Sequence, residues 1–214
     1  MWLLSALITS IFWQIEVAAS KAQTTGTLFP IIFGVFFQEV FRYLYWKLLK
    51  KAEDGLNTLG DDGSGKTSHA KQAMVAGLGF GVMSQIMQAN IVINAAAGPW
   101  TMETPGGTCP GYSIFFISSV TSALFGMMNI CWSTIMYMGA EQRLGSGKSL
   151  LTDWHLWLVV ISHYAASFLT VGGTMTKNHQ EPLGCGTSIG SLVVITIALG
   201  LTAMKVSGLK MKKA

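Results

Sequence analysis

The chain has 214 residues, half of them hydrophobic and only 11% charged, with a net charge of +4. A soluble domain carries roughly 25% charged residues, so this composition cannot supply a watery surface, and the mean hydropathy of +0.46 points to lipid as the solvent. The positive balance does not indicate a nucleic-acid binder, because the basic residues stand at the ends of apolar runs rather than in one patch.

Trp2 to Ala19 is the first apolar run. Its end, Val17, Ala18 and Ala19, resembles a signal-peptidase site, but no Lys or Arg precedes the run, so it reads as a retained span. The second run is Leu28 to about Leu49, with Tyr43, Tyr45 and Trp46 placed as an interfacial aromatic belt. Residues 50–71 are a polar, glycine-containing connection. The remaining runs are Ala73 to Ala97, Tyr112 to Met138, Trp154 to Val171 and Thr187 to Val206. Each has about the length that crosses a bilayer as a helix, and the strict alternation of a membrane barrel is absent. The predicted fold is therefore all-α, a polytopic transmembrane bundle of about six spans forming one integral membrane domain over 1–214.

Lys47, Lys50, Lys51, Lys66 and Lys71 lie in one connection, Arg143 and Lys148 in another, and Lys205, Lys210, Lys212 and Lys213 at the end; Lys21 and Lys177 stand nearly alone. This alternation is the positive-inside pattern, which places both termini and the 50–71 loop in the cytosol.

Gly60, Gly65, Lys66 and Thr67 fit the letters of a phosphate-binding loop. Such a loop joins a strand to a helix in an α/β domain, and here an apolar span precedes it; Asp61 and Asp62 would also repel phosphate. A polar connection is the better reading, and no cofactor is predicted.

Within the second span, Gln38, Glu39 and Arg42 are costly in lipid unless paired. Glu39 and Arg42 are three residues apart, share a helix face and can neutralise each other. His163 in the fifth span lacks companion zinc ligands and a nucleophile, so it reads as a hydrogen-bonding residue of the bundle, as does Asn129; no metal site is predicted. Asp54, Asp61, Asp62 and Asp153 all fall outside or at the edge of the spans, so the chain cannot supply an intramembrane aspartyl dyad. A transporter or channel, with Glu39, Arg42, His163 and asparagines as a polar path, is the alternative reading.

Ala73, Gly77 and Gly81 recur every four residues, with Gln85 next, and form a groove for close helix approach. Spacing alone does not say whether the neighbour belongs to this chain or to a partner. Gly186 and Gly190 repeat the spacing in the sixth span. Cys109 and Cys185 both fall in lumenal connections, where a disulfide is a testable expectation, whereas Cys131 lies within a span.

The block Gln38-Glu39-Val40-Phe41-Arg42-Tyr43, continued by Tyr45 to Leu56, together with the glycine-rich Gly77 to Ser84, resembles the Aph (anterior pharynx-defective) family of gamma-secretase subunits. The resemblance implies a non-catalytic scaffold that binds nicastrin-like, presenilin-like and presenilin-enhancer-like subunits. It further implies that Gly77 and Gly81 carry the glycine-helix packing and that His163 is the family histidine of the penultimate span. Gln85 stands at the family's third glycine and Asn129 at its other histidine. Six spans are read where the family has seven, the first having no counterpart.

Overall fold

The computed structural model describes residues 1–19, 28–59, 69–97, 113–146, 152–175 and 183–208. These form six helices: α1 Trp2–Ala19, α2 Leu28–Leu59, α3 His69–Ala97, α4 Ile114–Ser146, α5 Trp154–Met175 and α6 Leu183–Val206. Backbone groups in lipid must be satisfied within their own segment, which is why apolar runs of this length become helices.

The fourth helix is the organiser. It packs most extensively on α3, next on α6, and also touches α5 and α2, while α1 lies mainly on α2. At its centre Met128, Trp132 and Ile135 are buried, joined by Ala73 of α3, Val159 of α5 and Leu192 of α6. On the α1–α2 side, Phe12 stacks on Phe33 and Phe37 at ring separations of 5.9 and 5.5 Å.

Burial is inverted relative to a soluble domain. Glu39, Arg42, Asp153 and His163 are buried, whereas Leu7, Ile15, Val75, Ile161 and Val194 are exposed. Large apolar side chains turned outward around a core that contains paired charges are what a lipid solvent selects. Two described stretches, Phe115–Leu144 and Gly186–Val206, are long and apolar enough to cross a bilayer by length and composition. The molecule is an all-helical membrane bundle.

Two features differ from the sequence reading. The second helix continues to Leu59, so its last turns occupy ten positions of the polar connection expected over 50–71. Ala52 and Glu53 favour this extension, and Glu53 faces His69 of α3 at 3.6 Å. Trp46 is not part of a lipid-facing belt: it is buried, and its indole N–H donates to Glu141 at 3.3 Å. For Gly186 and Gly190, whose neighbour the spacing left open, a Cβ added at either meets nothing within 4 Å among the described residues. The phosphate-loop letters Gly60 to Thr67 lie outside the described residues.

Candidate functional site: a buried charge cluster beside a glycine seam

Arg42 is the most heavily invested side chain. It is 0% exposed, and one guanidinium nitrogen, Nη2, donates to Asn129 Oδ1 at 2.7 Å. A second, Nη1, donates to the Asn129 backbone carbonyl at 3.4 Å. Its Cζ lies over the rings of Phe80 and Trp132, 5.2 and 5.5 Å from the centroids. A guanidinium stripped of water thus gains a side-chain amide acceptor and two aromatic quadrupoles.

Glu39 completes the neutralisation. Its Oε2 lies 3.5 Å from Arg42 Nε, the pair that their spacing of three predicts. This contact is electrostatic only, since neither atom makes a hydrogen bond among the described residues. The other carboxylate oxygen, Oε1, is 2.5 Å from His163 Nδ1 of α5. The ring and the carboxylate thus share one hydrogen bond, whose direction follows the tautomer. His163 also stacks on Trp132, centroid to centroid 4.1 Å, while Trp132 Nε1 donates to Ser162 Oγ at 2.9 Å. Three helices are therefore fastened around one neutral ion pair.

Asn129 works in two directions. Its amide nitrogen donates to the Phe125 carbonyl one turn back at 2.9 Å, which aims the amide oxygen at Arg42. Gln38, one residue before Glu39, is only partly buried and stands outside the cluster.

The small-residue stripe of α3 faces the chain's own fourth helix. A Cβ at Gly77 would fall 2.7 Å from Ile130 Cα and 2.9 Å from the Asn129 carbonyl, and one at Gly81 would fall 3.0 Å from the Gly126 carbonyl. Backbone meets backbone at both positions: at 77 only glycine fits without a shift, and at 81 a Cβ would press tightly on the Gly126 backbone. Ala73 is fully buried at one end of the stripe. At the other end the relation inverts: Gln85 is large, and the small residue is opposite, since a Cβ at Gly126 would collide with the Gln85 amide. That amide donates to the Ser122 carbonyl at a long 3.5 Å. The seam thus changes hands from glycine on α3 to glycine on α4.

A second ionic joint lies at the end of the bundle where α2 leaves it. Glu141 accepts from Lys50 Nζ at 3.0 Å and from Trp46 Nε1. That hydrogen bond, more than any other influence, holds the Lys50 ammonium above the ordinary lysine value of 10.5. A third joint escaped the sequence reading. Asp153 caps α5 by accepting from the His155 backbone N–H at 3.2 Å, and it also meets the His155 ring at 2.8 Å and Arg143 at 3.7 Å. Aspartate before an apolar helical run is an N-cap signal, so this joint had a legible trace. Gly139 admits it, because a Cβ there would lie 2.6 Å from His155 Cβ.

Cys131 is free. Cys109 and the side chain of Cys185 lie outside the described residues, as therefore does the disulfide expected between them. Among the described residues no group of three His, Cys, Asp or Glu side chains converges as a metal site.

Fold and cluster together define a polytopic helical membrane protein whose buried ionisable groups bind one another. The family described as Aph-1 protein matches residues 1–210, and the chain belongs to that family. It is 34% identical over 176 residues to the Danio rerio protein named gamma-secretase subunit Aph-1b, covering 79% of this chain and 63% of that one. Identity to gamma-secretase subunit Aph-1 of Drosophila melanogaster is 31%, covering 97% and 77%. For gamma-secretase subunit APH-1B of Homo sapiens it is 27%, covering 97% and 74%. The chain thus spans less than two thirds of the zebrafish relative and about three quarters of the other two.

Proposed function

We propose that this chain is a non-catalytic scaffold subunit of a gamma-secretase intramembrane protease, which stabilises and assembles a presenilin-like aspartyl protease with nicastrin-like and presenilin-enhancer-like subunits. The observation that carries the reading is family membership together with a cluster whose charges are spent internally: Glu39 serves Arg42 and His163, and Arg42 serves Asn129. Such a cluster fixes helix positions. Its one carboxylate, Glu39, is engaged by Arg42 and His163, and the proposed scaffold leaves the cutting chemistry to another subunit. Six crossings with both termini and the 50–71 segment in the cytosol fit the distribution of lysine and arginine, and the secretory membranes from the endoplasmic reticulum to the cell surface and endosomes are the setting.

Immunoprecipitation of the full chain from mild detergent tests the reading. Recovery of both a presenilin-like and a nicastrin-like protein is expected; repeated recovery of neither overturns it. The transporter alternative draws no support from Glu39, Arg42, Asn129 and His163, which are buried and engage one another. Ion flux in proteoliposomes holding only this chain would revive it.

A further inference from the structure

The α3–α4 seam is tight at one end and open at the other. Backbone packs on backbone at Gly77 and Gly81, after which Gln85 lays its amide against Gly126 and holds the Ser122 carbonyl only at 3.5 Å. Beyond that point the two helices leave a groove of about 180 Å³, lined by Gln88 and Ile93 of α3 and by Phe115, Ser118, Ser119 and Ser122 of α4.

This groove is polar without being charged. It offers one amide and three hydroxyls, and no ionisable side chain lines it among the described residues. These polar groups are also unspent. Thr9, exposed Ser10 and Thr202 each donate to a carbonyl three or four residues back, which is how a lone hydroxyl is satisfied in lipid. The hydroxyls of Ser118, Ser119 and Ser122 and the Gln88 amide make no hydrogen bond among the described residues. Nor are they sealed away, since Ser119 is exposed and the other three are half-buried. Ser122 stands about 11 Å from the middle of the Phe115–Leu144 stretch at 1.5 Å per residue, inside the roughly 15 Å half-thickness of the hydrocarbon. Open hydrogen-bonding groups at that depth are costly unless another polypeptide meets them.

We propose that this groove seats a transmembrane helix of a partner subunit, one that presents a neutral hydrogen-bonding side chain (Ser, Thr, Asn or Gln) at the level of Gln88 and Ser122. The inference rests on the scaffold reading and adds to it the face that receives a partner and the chemistry of the contact. A phospholipid headgroup is a poor match, because nothing in the lining answers a phosphate or an ammonium. A charged partner residue would be stranded for the same reason. A neutral amide or hydroxyl offers donors and acceptors, as Gln88 and the serines do, so each group gains a partner and no ion is buried. The groove also continues the α3–α4 interface, so a helix entering it packs on both.

Photocrosslinking within the assembled complex tests the occupant, with benzoylphenylalanine placed at the exposed Ser119 position of the full chain. The expected product is an adduct with a co-precipitating subunit, mapped by mass spectrometry to one of that subunit's membrane spans. Lipid adducts alone, or an adduct outside any span, while partner subunits still co-precipitate, overturn the groove's assignment and leave the scaffold reading standing. Recovery of no partner at all overturns both. Substitution tests the chemistry: Ser119→Leu fills the groove without touching the Gly77–Gly81 seam, and Gln88→Leu removes the amide at similar volume. Each should leave the Tm of the purified full chain level and lower partner recovery about threefold or more, the factor that one interhelical polar bond is worth. Gln88→Asn, which keeps an amide, should lose less. Unchanged partner recovery in either leucine variant, or a fall in the chain's own Tm, overturns the proposal.

Discussion

At mid-helix Glu39 and Arg42 are 5% and 0% exposed and engage partners on α3, α4 and α5. Two turns further along α2, Lys50 and Glu141 keep 25% and 19% of their side chains exposed and share a bond of 3.0 Å. The chemistry is the same and the solvent is not. At the open end water covers whatever the partner leaves, so the pair contributes little and its loss is mild. At the centre nothing outside the cluster can solvate a stranded charge, so removing one member exposes the full desolvation penalty of the other. The cluster is therefore a specification device: only the arrangement that brings α2, α4 and α5 together satisfies it.

That contrast is broken most forcefully by Arg42→Leu. It leaves Glu39 buried beside His163 alone, with an expected loss of about 3–5 kcal/mol, read as a collapse in the yield of folded chain after mild detergent extraction. Gly77→Leu comes next, at about 3 kcal/mol, the upper end for overpacking, because the side chain would have to push the α4 backbone away. Partner subunits should be lost only as a consequence, so a variant that keeps its own melting temperature while losing partners would contradict the intramolecular seam. Asn129→Leu deletes a bond to a charged donor and should cost about 2 kcal/mol by the same melting measurement.

The smallest effect belongs to the outer joint. Lys50→Met should cost no more than about 1 kcal/mol. Its pH dependence has a definite sign. The folded chain holds the Lys50 ammonium above 10.5, so the contribution is complete below 10.5 and is lost as pH climbs through the raised value. Melting temperatures of the parent and of Lys50→Met should run parallel at neutral pH and converge in strong alkali.

The sequence made local relations legible and long-range ones opaque. Glu39 and Arg42 could be paired because three residues is a fixed geometric step on a helix. His163 could be assigned to the bundle interior but not to Glu39, since nothing local ties residues 124 apart. Periodicity defined the face carrying Ala73, Gly77, Gly81 and Gln85, yet a face does not name its neighbour; that neighbour is α4 of the same chain. The equal spacing of Gly186 and Gly190 seats nothing among the described residues, so spacing by itself does not separate a packed groove from an open one. Trp46 misled in the opposite sense, its aromatic ring suggesting the lipid interface while its N–H serves Glu141.

A double-mutant cycle on the central ion pair, followed by thermal melting of the full chain in one mild detergent, is the most direct measurement. Arg42→Leu and Glu39→Leu should each destabilise severely, and the double variant should recover much of the loss because neither charge is left stranded. A double variant that loses the sum of the two single losses would show that the residues act independently, and would contradict the account.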